Sequence, residues 1–384
     1  YRNGGWNAEL EGIWVAKFEA GYASGNNNAP VVASSVNYTQ TTSWVKAVEN
    51  GTSSDTSIPA RNWLDGVYAV KIDAITYEWK DGIPTAIKYP TFQPVTYSMN
   101  NISYEDAFNM ARALTEENNI YGFNSSTDTH LMKDSEWGMV AYLSQSQYGL
   151  NGTNISINNI SLNSGSSSLT KEEGNNLASV YAVTGCTTGT SDAEELIVEN
   201  FDSVKKLNGN VPTENGVYVW NQVQGQTASS TGNMYGIYDL SGGVLERTAS
   251  YVGNERYKDG IIWNGSSYIK NEYLMQYAYD SEKDNVEIGN DASGETTKLD
   301  IASTANYALA ENARIYGNAI HETSTAGTET SSWYNDYSYF PALYFPISTR
   351  GGDLWITSYA GLFCLGHGDG NGAYIRGFRP VVIV

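Results

Sequence analysis

Hydrophobic and polar positions along the chain alternate in a few short runs separated by long polar stretches. Gly12-Ile13-Trp14-Val15-Ala16-Lys17-Phe18-Glu19 alternates and predicts an early strand, and Val67 to Ala74 alternates again and predicts a second. A period near 3.6 first appears after Ser103. Ser103-Tyr104-Glu105-Asp106 sets a hydroxyl at an N-cap with a carboxylate three residues on, and Ala107, Met110, Ala111 and Leu114 form an apolar stripe. A second helix is expected from Lys133-Asp134-Ser135-Glu136, with Trp137, Val140, Ala141 and Leu143 as its stripe, running out at Gly149. Between them, Asn26 to Asp65 is polar and irregular. From Asn151 to Gln226 the chain is rich in Asn, Ser, Gly and Thr, with a short helical patch expected at Asp192 to Phe201. Tyr251 to Tyr337 is long and rich in Tyr, Asn and Asp. Pro346 to Val384 is Gly-rich with brief alternating runs, and no short repeat suggests a solenoid. The pattern predicts one irregular α+β domain over residues 1–384, with a polar insertion at about 151–226.

Composition sharpens that picture. Charged residues make up 17% of the 384, and 42 acidic against 22 basic side chains leave a net charge of −20. A field of that sign repels phosphate backbones, so nucleic acid and anionic membranes are poor partners. No apolar run approaches the ~20 residues of a membrane span. A chain that starts at Tyr1 is expected to be a processed or trimmed product. Its two cysteines, Cys186 and Cys364, could pair only with Cα atoms within roughly 7 Å; two free thiols are the expectation.

Five ordered blocks carry a resemblance. They are Gly12 to Glu19; Ile102-Ser103-Tyr104-Glu105-Asp106-Ala107; Leu131-Met132-Lys133-Asp134-Ser135-Glu136-Trp137; Gly232-Asn233-Met234-Tyr235-Gly236-Ile237-Tyr238-Asp239-Leu240-Ser241-Gly242-Gly243-Val244; and Arg350-Gly351-Gly352 followed by Gly377-Phe378-Arg379-Pro380. In this order the chain resembles the formylglycine-generating-enzyme branch of the C-type lectin fold. The insertion at 151–226 has no counterpart among these motifs. Gly243-Val244-Leu245-Glu246-Arg247 also departs from a pattern that favours Asn and two Trp there.

The resemblance implies an oxidase with two copper-binding cysteines a few residues beyond the Arg-Gly-Gly. Here Asp353-Leu354-Trp355-Ile356-Thr357-Ser358-Tyr359-Ala360-Gly361 contains no cysteine. Cu(I) selects soft thiolates, and the hydroxyls nearby cannot replace them. A non-catalytic protein without cofactor or metal is therefore expected. The histidines His130, His321 and His367 are isolated. Asp280, Glu282, Asp284, Glu287 and Asp291 fit no EF-hand spacing and read as a solvated acidic loop. In Trp333-Tyr334-Asn335-Asp336 an inserted Tyr interrupts a lectin-like calcium tripeptide. Gly242-Gly243 and Gly351-Gly352 are expected at positive φ or at close backbone approaches. Arg350 and Arg379 are expected to tie down carboxylates or carbonyls, with Asp239 and Glu246 as candidate partners.

The window between the two arginine motifs resembles the variable region of diversity-generating retroelement target proteins, which vary side chains on a fixed backbone. That resemblance implies a ligand- or receptor-binding protein displayed extracellularly, on a cell surface or a phage tail, with an oligomer possible. Adenine-directed variation at codons ending in a pyrimidine cannot yield Lys, Glu, Gln, Met or Trp. From Asp353 to Arg376 only Trp355 belongs to that set. The expected ligand-binding residues are Asp353, Trp355, Thr357, Tyr359, Cys364, His367, Asp369, Asn371, Tyr374 and Arg376. Tyr, Trp and Arg among them offer large contact area at low entropy cost. The expected scaffold is Arg350, Gly351, Gly352, Phe363, Gly377, Phe378 and Arg379. Two alternatives stand beside this reading: a lectin-like adhesin of fixed specificity, and a degenerate oxidase.

Overall fold

The computed structural model describes residues 12–21, 67–72, 75–80, 83–87, 90–96, 98–100, 104–116, 119, 121–163, 180–192, 194–198, 216–252, 261–263, 268–269, 273–277, 289–290, 296–297, 317–320, 322–324, 332–339, 341, 345–370 and 375–383. Over these it is α+β, with small mixed sheets and two short α-helices. Asn371, Tyr374, His321 and the acidic run from Asp280 to Glu287 lie outside the described residues, as does Asp291.

Two sheets build the region of interest. In the first, β8 (Pro380–Ile383) lies between β1 (Trp14–Val15) and β2 (Asp128–Leu131), antiparallel to both. The second centres on β3 (Leu245–Val252). One edge of β3 takes β4 (Met275–Tyr277) and β7 (Arg376–Phe378), both parallel and at opposite ends. The other edge takes β5 (Ile347–Gly351), antiparallel, which pairs in turn with β6 (Gly361–Gly368). Separate from both, Val67–Ile72, Ile75–Lys80 and Ile83–Ile87 form an antiparallel meander.

The early alternating run is a strand only at Trp14–Val15. Phe18 and Glu19 leave the ladder and turn into the interior, where both are buried. Helix α1 (Tyr104–Ala113) starts where the capping pattern places it, with Glu105 and Asp106 in its first turn and Arg112 in its last, matching the helix dipole. Its buried face is Tyr104, Ala107, Phe108, Met110 and Ala111. Helix α2 (Asp134–Gln145) begins with the Glu136 carboxylate accepting the Lys133 backbone N–H at 2.8 Å. Trp137, Val140 and Ala141 are buried as the stripe requires, but Leu143 is 57% exposed and does not belong to it. The Trp137 indole N–H donates to the Leu362 carbonyl at 2.7 Å, which pins α2 to β6.

The polar region at 151–226 is more deeply built in than its composition suggests. Ile155, Ile157, Ile160, Val183, Val217 and Val219 from its described part are all buried, and four of them join the main core. The helical patch expected at Asp192 to Phe201 is instead a strand, Leu196–Val198, paired parallel to Ile160–Leu162. Leu196-Ile197-Val198 is a short apolar run with two β-branched residues, and such a run suits a pleated sheet better than one helical turn. Cys186 and Cys364 are both free and buried.

Candidate functional site

Residues 238–246 form the base on which the window from Arg350 to Arg379 rests. At its start, the Gly242 N–H donates to the Gly351 carbonyl at 3.1 Å, and the Leu354 N–H donates to the Gly243 carbonyl at 3.1 Å. At its end, the Leu245 N–H donates to Ile375 O at 2.7 Å and β3 pairs with β7. Both ends of the window therefore attach to one nine-residue segment. Gly242, Gly243, Gly351 and Gly352 all adopt positive φ, between 70° and 85°. A side chain on Gly352 would meet Ile356 Cδ1 at 2.6 Å and the Ala360 backbone at 2.8 Å. Gly377 needs its missing side chain for a different reason, since a Cβ there would run into Val244 and Met99 O.

The two arginines act on backbone and carboxylate as their planar donors allow. Arg350 is fully buried; its Nη2 donates to Ala319 O at 3.1 Å and its Nη1 to Asn318 O at 3.4 Å. Arg379, also fully buried, places Nε 2.9 Å from Glu246 Oε2 and Nη2 2.8 Å from Tyr238 O, with Nη1 on Ala16 O. One guanidinium, carried on the residue between β7 and β8, thus joins β3, the segment after β1 and the loop before Gly242. Of its two candidate partners, Glu246 makes the ion pair. Asp239 instead accepts hydrogen bonds from the Asn158 amide and the Gly185 N–H, both at 2.8 Å. A third buried carboxyl, Glu19, accepts the Val244 N–H at 3.2 Å and contacts Ser98 Oγ. Burial pushes the Glu19 pKa well above the carboxylate range, and the nearby Asp239 and Glu246 charges push it the same way.

The candidate binding residues divide sharply. Tyr359 is 40% exposed, and Trp355, Thr357, His367, Asp369 and Arg376 are half-buried. Thr357 takes φ of 50° at the start of the single turn Thr357–Tyr359. His367 sits near the end of β6 with its ring centroid 5.0 Å from those of Tyr339 and Phe345. Arg376 Nη1 lies 3.3 Å from Asp369 Oδ1, and Nη2 donates to His367 O at 3.2 Å.

Two candidates do not reach the surface, and their expected contact with a ligand is corrected by that placement. Asp353 is 3% exposed; its Oδ1 accepts the Trp355 N–H at 2.8 Å and the Ile356 N–H at 3.2 Å, so the carboxylate shapes the turn. Cys364 is fully buried in β6, an internal strand bonded to β5 on one side and to residues 337–339 on the other. Burial and the neighbouring Asp336 charge push its thiol pKa well up, away from thiolate chemistry. Of the expected scaffold, Arg350, Phe363, Phe378 and Arg379 are fully buried, and Gly351, Gly352 and Gly377 are buried too.

One residue that the sequence reading passed over is central to the site. Asp336, within the interrupted tripeptide, is fully buried with Oδ2 accepting the Phe363 N–H at 2.9 Å. Its carboxyl fills the space that a side chain at Gly361 would take. Burial pushes its pKa up to about 8 against the opposing pull of the Phe363 N–H and Arg350. The signal that could have found it is the pairing of a lone acid with a glycine opposite an apolar strand, which sequence distance hides.

Among the described residues no group of three or more His, Cys, Asp or Glu is placed to hold a metal ion, and no helix is long and apolar enough to cross a membrane. No protein-family model matches the chain, and no curated protein matches it either.

Proposed function

We propose that this protein is a non-catalytic binding protein of C-type lectin fold, of the formylglycine-generating-enzyme type, whose window from Arg350 to Arg379 carries a ligand-contacting surface diversified by a retroelement. The observation that carries this reading is the division within the window. Its two ends are held by buried Arg350, Arg379 and four positive-φ glycines, while Thr357, Tyr359, His367, Asp369 and Arg376 keep solvent access. A fixed frame with replaceable outward side chains is what variation without unfolding requires, because surface changes away from caps, cores and special φ/ψ cost little.

The fold assignment is supported by the convergence of the motif blocks. Gly12 to Glu19 supplies Ala16 O and Glu19, Gly232 to Val244 supplies Tyr238 O and Asp239, and the terminal motif supplies Arg379, all around one buried site. Leu131 to Trp137 joins through Met132, whose N–H donates to Arg379 O at 3.1 Å. A role outside the cell, on a cell surface or a phage tail, follows from the same resemblance, with a protein or surface receptor as partner and no cofactor.

The test is a library randomised at Thr357, Tyr359, His367, Asp369, Asn371, Tyr374 and Arg376. Most members should fold, with melting temperatures near that of the parent. A library in which most members fail to fold would remove the separation on which the reading rests.

A further inference from the structure

Helix α2 buries one face and leaves an apolar row on the other. Trp137, Val140 and Ala141 face the core, while Ser135, Met139 and Leu143 follow at four-residue spacing on the opposite side. Met139 is 39% exposed and Leu143 57%. The outer face of a surface helix ordinarily carries charged side chains, and this row carries none. Half-buried Tyr142 extends the row sideways, its ring meeting that of Trp333 edge-on at 6.2 Å. Trp333 is 46% exposed and Tyr334 37%, and the Tyr334 hydroxyl donates to Gln145 Oε1 at 2.9 Å. Helix α2 and residues 333–334 thus share one apolar surface, and contiguous apolar surface left in water marks a contact site.

Charge decides what covers it. With 42 acidic against 22 basic residues, two copies of this chain repel wherever their charged surfaces meet. A foreign partner has no such restriction and could use the acidic field to be drawn in. A second copy can approach closely only where charge is absent. Within α2 and residues 332–336 there is no basic residue, and all three carboxylates, Asp134, Glu136 and Asp336, are buried. Glu322, beside Tyr142, accepts the Gly317 N–H. Among the described residues this surface is therefore apolar, uncharged and matched to itself.

We propose that Met139, Leu143, Trp333 and Tyr334 form a self-association surface through which two copies of this chain pair about a two-fold axis. The same surface on both partners closes the assembly at two. Ser135, Met139 and Leu143 form a ridge of the four-residue kind, and two such ridges interdigitate when helices cross at roughly −50°. The surface borders the window, because Tyr334 lies on Phe363 of β6 with centroids 5.9 Å apart and planes 9° apart. A pair therefore displays two windows in one particle, which raises avidity for a receptor present in many copies. That consequence rests on the binding reading above; the pairing itself does not.

Sedimentation equilibrium on the full chain tests it. Twice the single-chain mass is expected at chain concentrations of about 0.1 mM or below. Raising salt from about 0.05 to 0.5 M should strengthen the pair, because screening relieves repulsion between two acidic copies. Leu143→Glu and Met139→Glu each put a good helix former at an exposed position, so the fold should survive with unchanged circular dichroism. Each should return the single-chain mass, and Trp333→Ala should weaken pairing by about tenfold or more. Val223→Glu, at an apolar position that is 78% exposed outside this surface, should leave the pair intact. A single-chain mass up to about 0.1 mM would overturn the pairing and leave the surface to a different protein. A pair that survives both glutamate substitutions on α2, that is lost with Val223→Glu, or that weakens as salt rises would overturn it equally.

Discussion

Arg379 and Glu246 form a forked ion pair with no solvent access, Nε to Oε2 at 2.9 Å, at the point where the end of the window meets β3. Removing one partner of a buried pair strands the other charge, which costs about 3–5 kcal/mol. Arg379→Met is therefore expected to lose stability in that range by urea unfolding. Arg379→Met combined with Glu246→Leu should recover part of it, because the stranded carboxylate is gone. Equal losses in the single and double variants would show that packing, not charge, sets the cost.

Gly352 is needed for its backbone. A methyl group there meets Ile356 and Ala360 while the residue sits at φ of 75°. Gly352→Ala should cost about 1–3 kcal/mol through combined overpacking and left-handed strain, seen as a lower urea midpoint at unchanged slope. An unchanged midpoint would mean that the turn after Arg350 is not the rigid joint described above.

Stability should fall as pH rises from about 5 to 9. Burial raises the pKa of Glu19, Asp239, Glu246 and Asp353, and raises that of Asp336 to about 8. For Asp336 the folded state keeps a proton that the unfolded chain has lost near pH 4; for the other four the folded pKa lies above the unfolded one, so each acts with the same sign. Their contribution is complete below that value and declines as pH climbs through the folded pKa. Burial disfavours the charged form of His130, but the Glu136 and Asp128 carboxylates outweigh it and raise its pKa. Its contribution therefore has the same sign, complete below about 6.5 and lost as pH rises through the raised value. Asp336→Asn should flatten the pH dependence between 5 and 7 by up to about 1.4 kcal/mol per pH unit, one proton's worth. Thermal melts across that range check the slope, and a variant as steep as the parent would remove Asp336 from the account.

Within the window, burial should separate tolerant from intolerant positions. Cys364→Ser places a hydroxyl in a fully buried site and should cost about 1–3 kcal/mol. Asp353→Ala removes the acceptor for two turn N–H groups and should cost about 1 kcal/mol. Tyr359→Ser and His367→Asn should stay within about 1 kcal/mol of the parent. Calorimetric melting of the four variants gives the comparison directly.

Local pattern made the helices legible. The capping arrangement at Ser103 to Asp106 and the stripe from Trp137 to Ala141 locate the starts of α1 and α2 to within a residue or two, while α2 ends at Gln145, short of the expected Gly149. The positive φ of the paired glycines and the backbone-fixing role of Arg350 and Arg379 were legible too, because glycine and guanidinium each have a narrow set of uses in tight loops. What distance in sequence separates stayed hidden. The Asp239 carboxylate answers to Asn158 and Gly185, and Asp336 answers to Phe363 and Gly361, through contacts that no local period encodes. Polar composition also misled at 151–226, where a few isoleucines and valines spaced along an Asn- and Ser-rich stretch suffice to enter the core. Composition within the window could not separate Cys364 from Tyr359, since only the fold places one in a covered strand and the other in an exposed turn.

The most direct test of the central claim is sequencing of the codons for Asp353 to Arg376 across a population carrying this gene. The account predicts substitutions concentrated at Thr357, Tyr359, His367, Asp369, Asn371, Tyr374 and Arg376. Asp353 and Cys364 should be unchanged alongside Arg350, Gly351, Gly352, Phe378 and Arg379. A uniform window would contradict diversification and leave a binding protein of fixed specificity, and substitutions spread equally over buried and exposed positions would contradict the fixed frame itself.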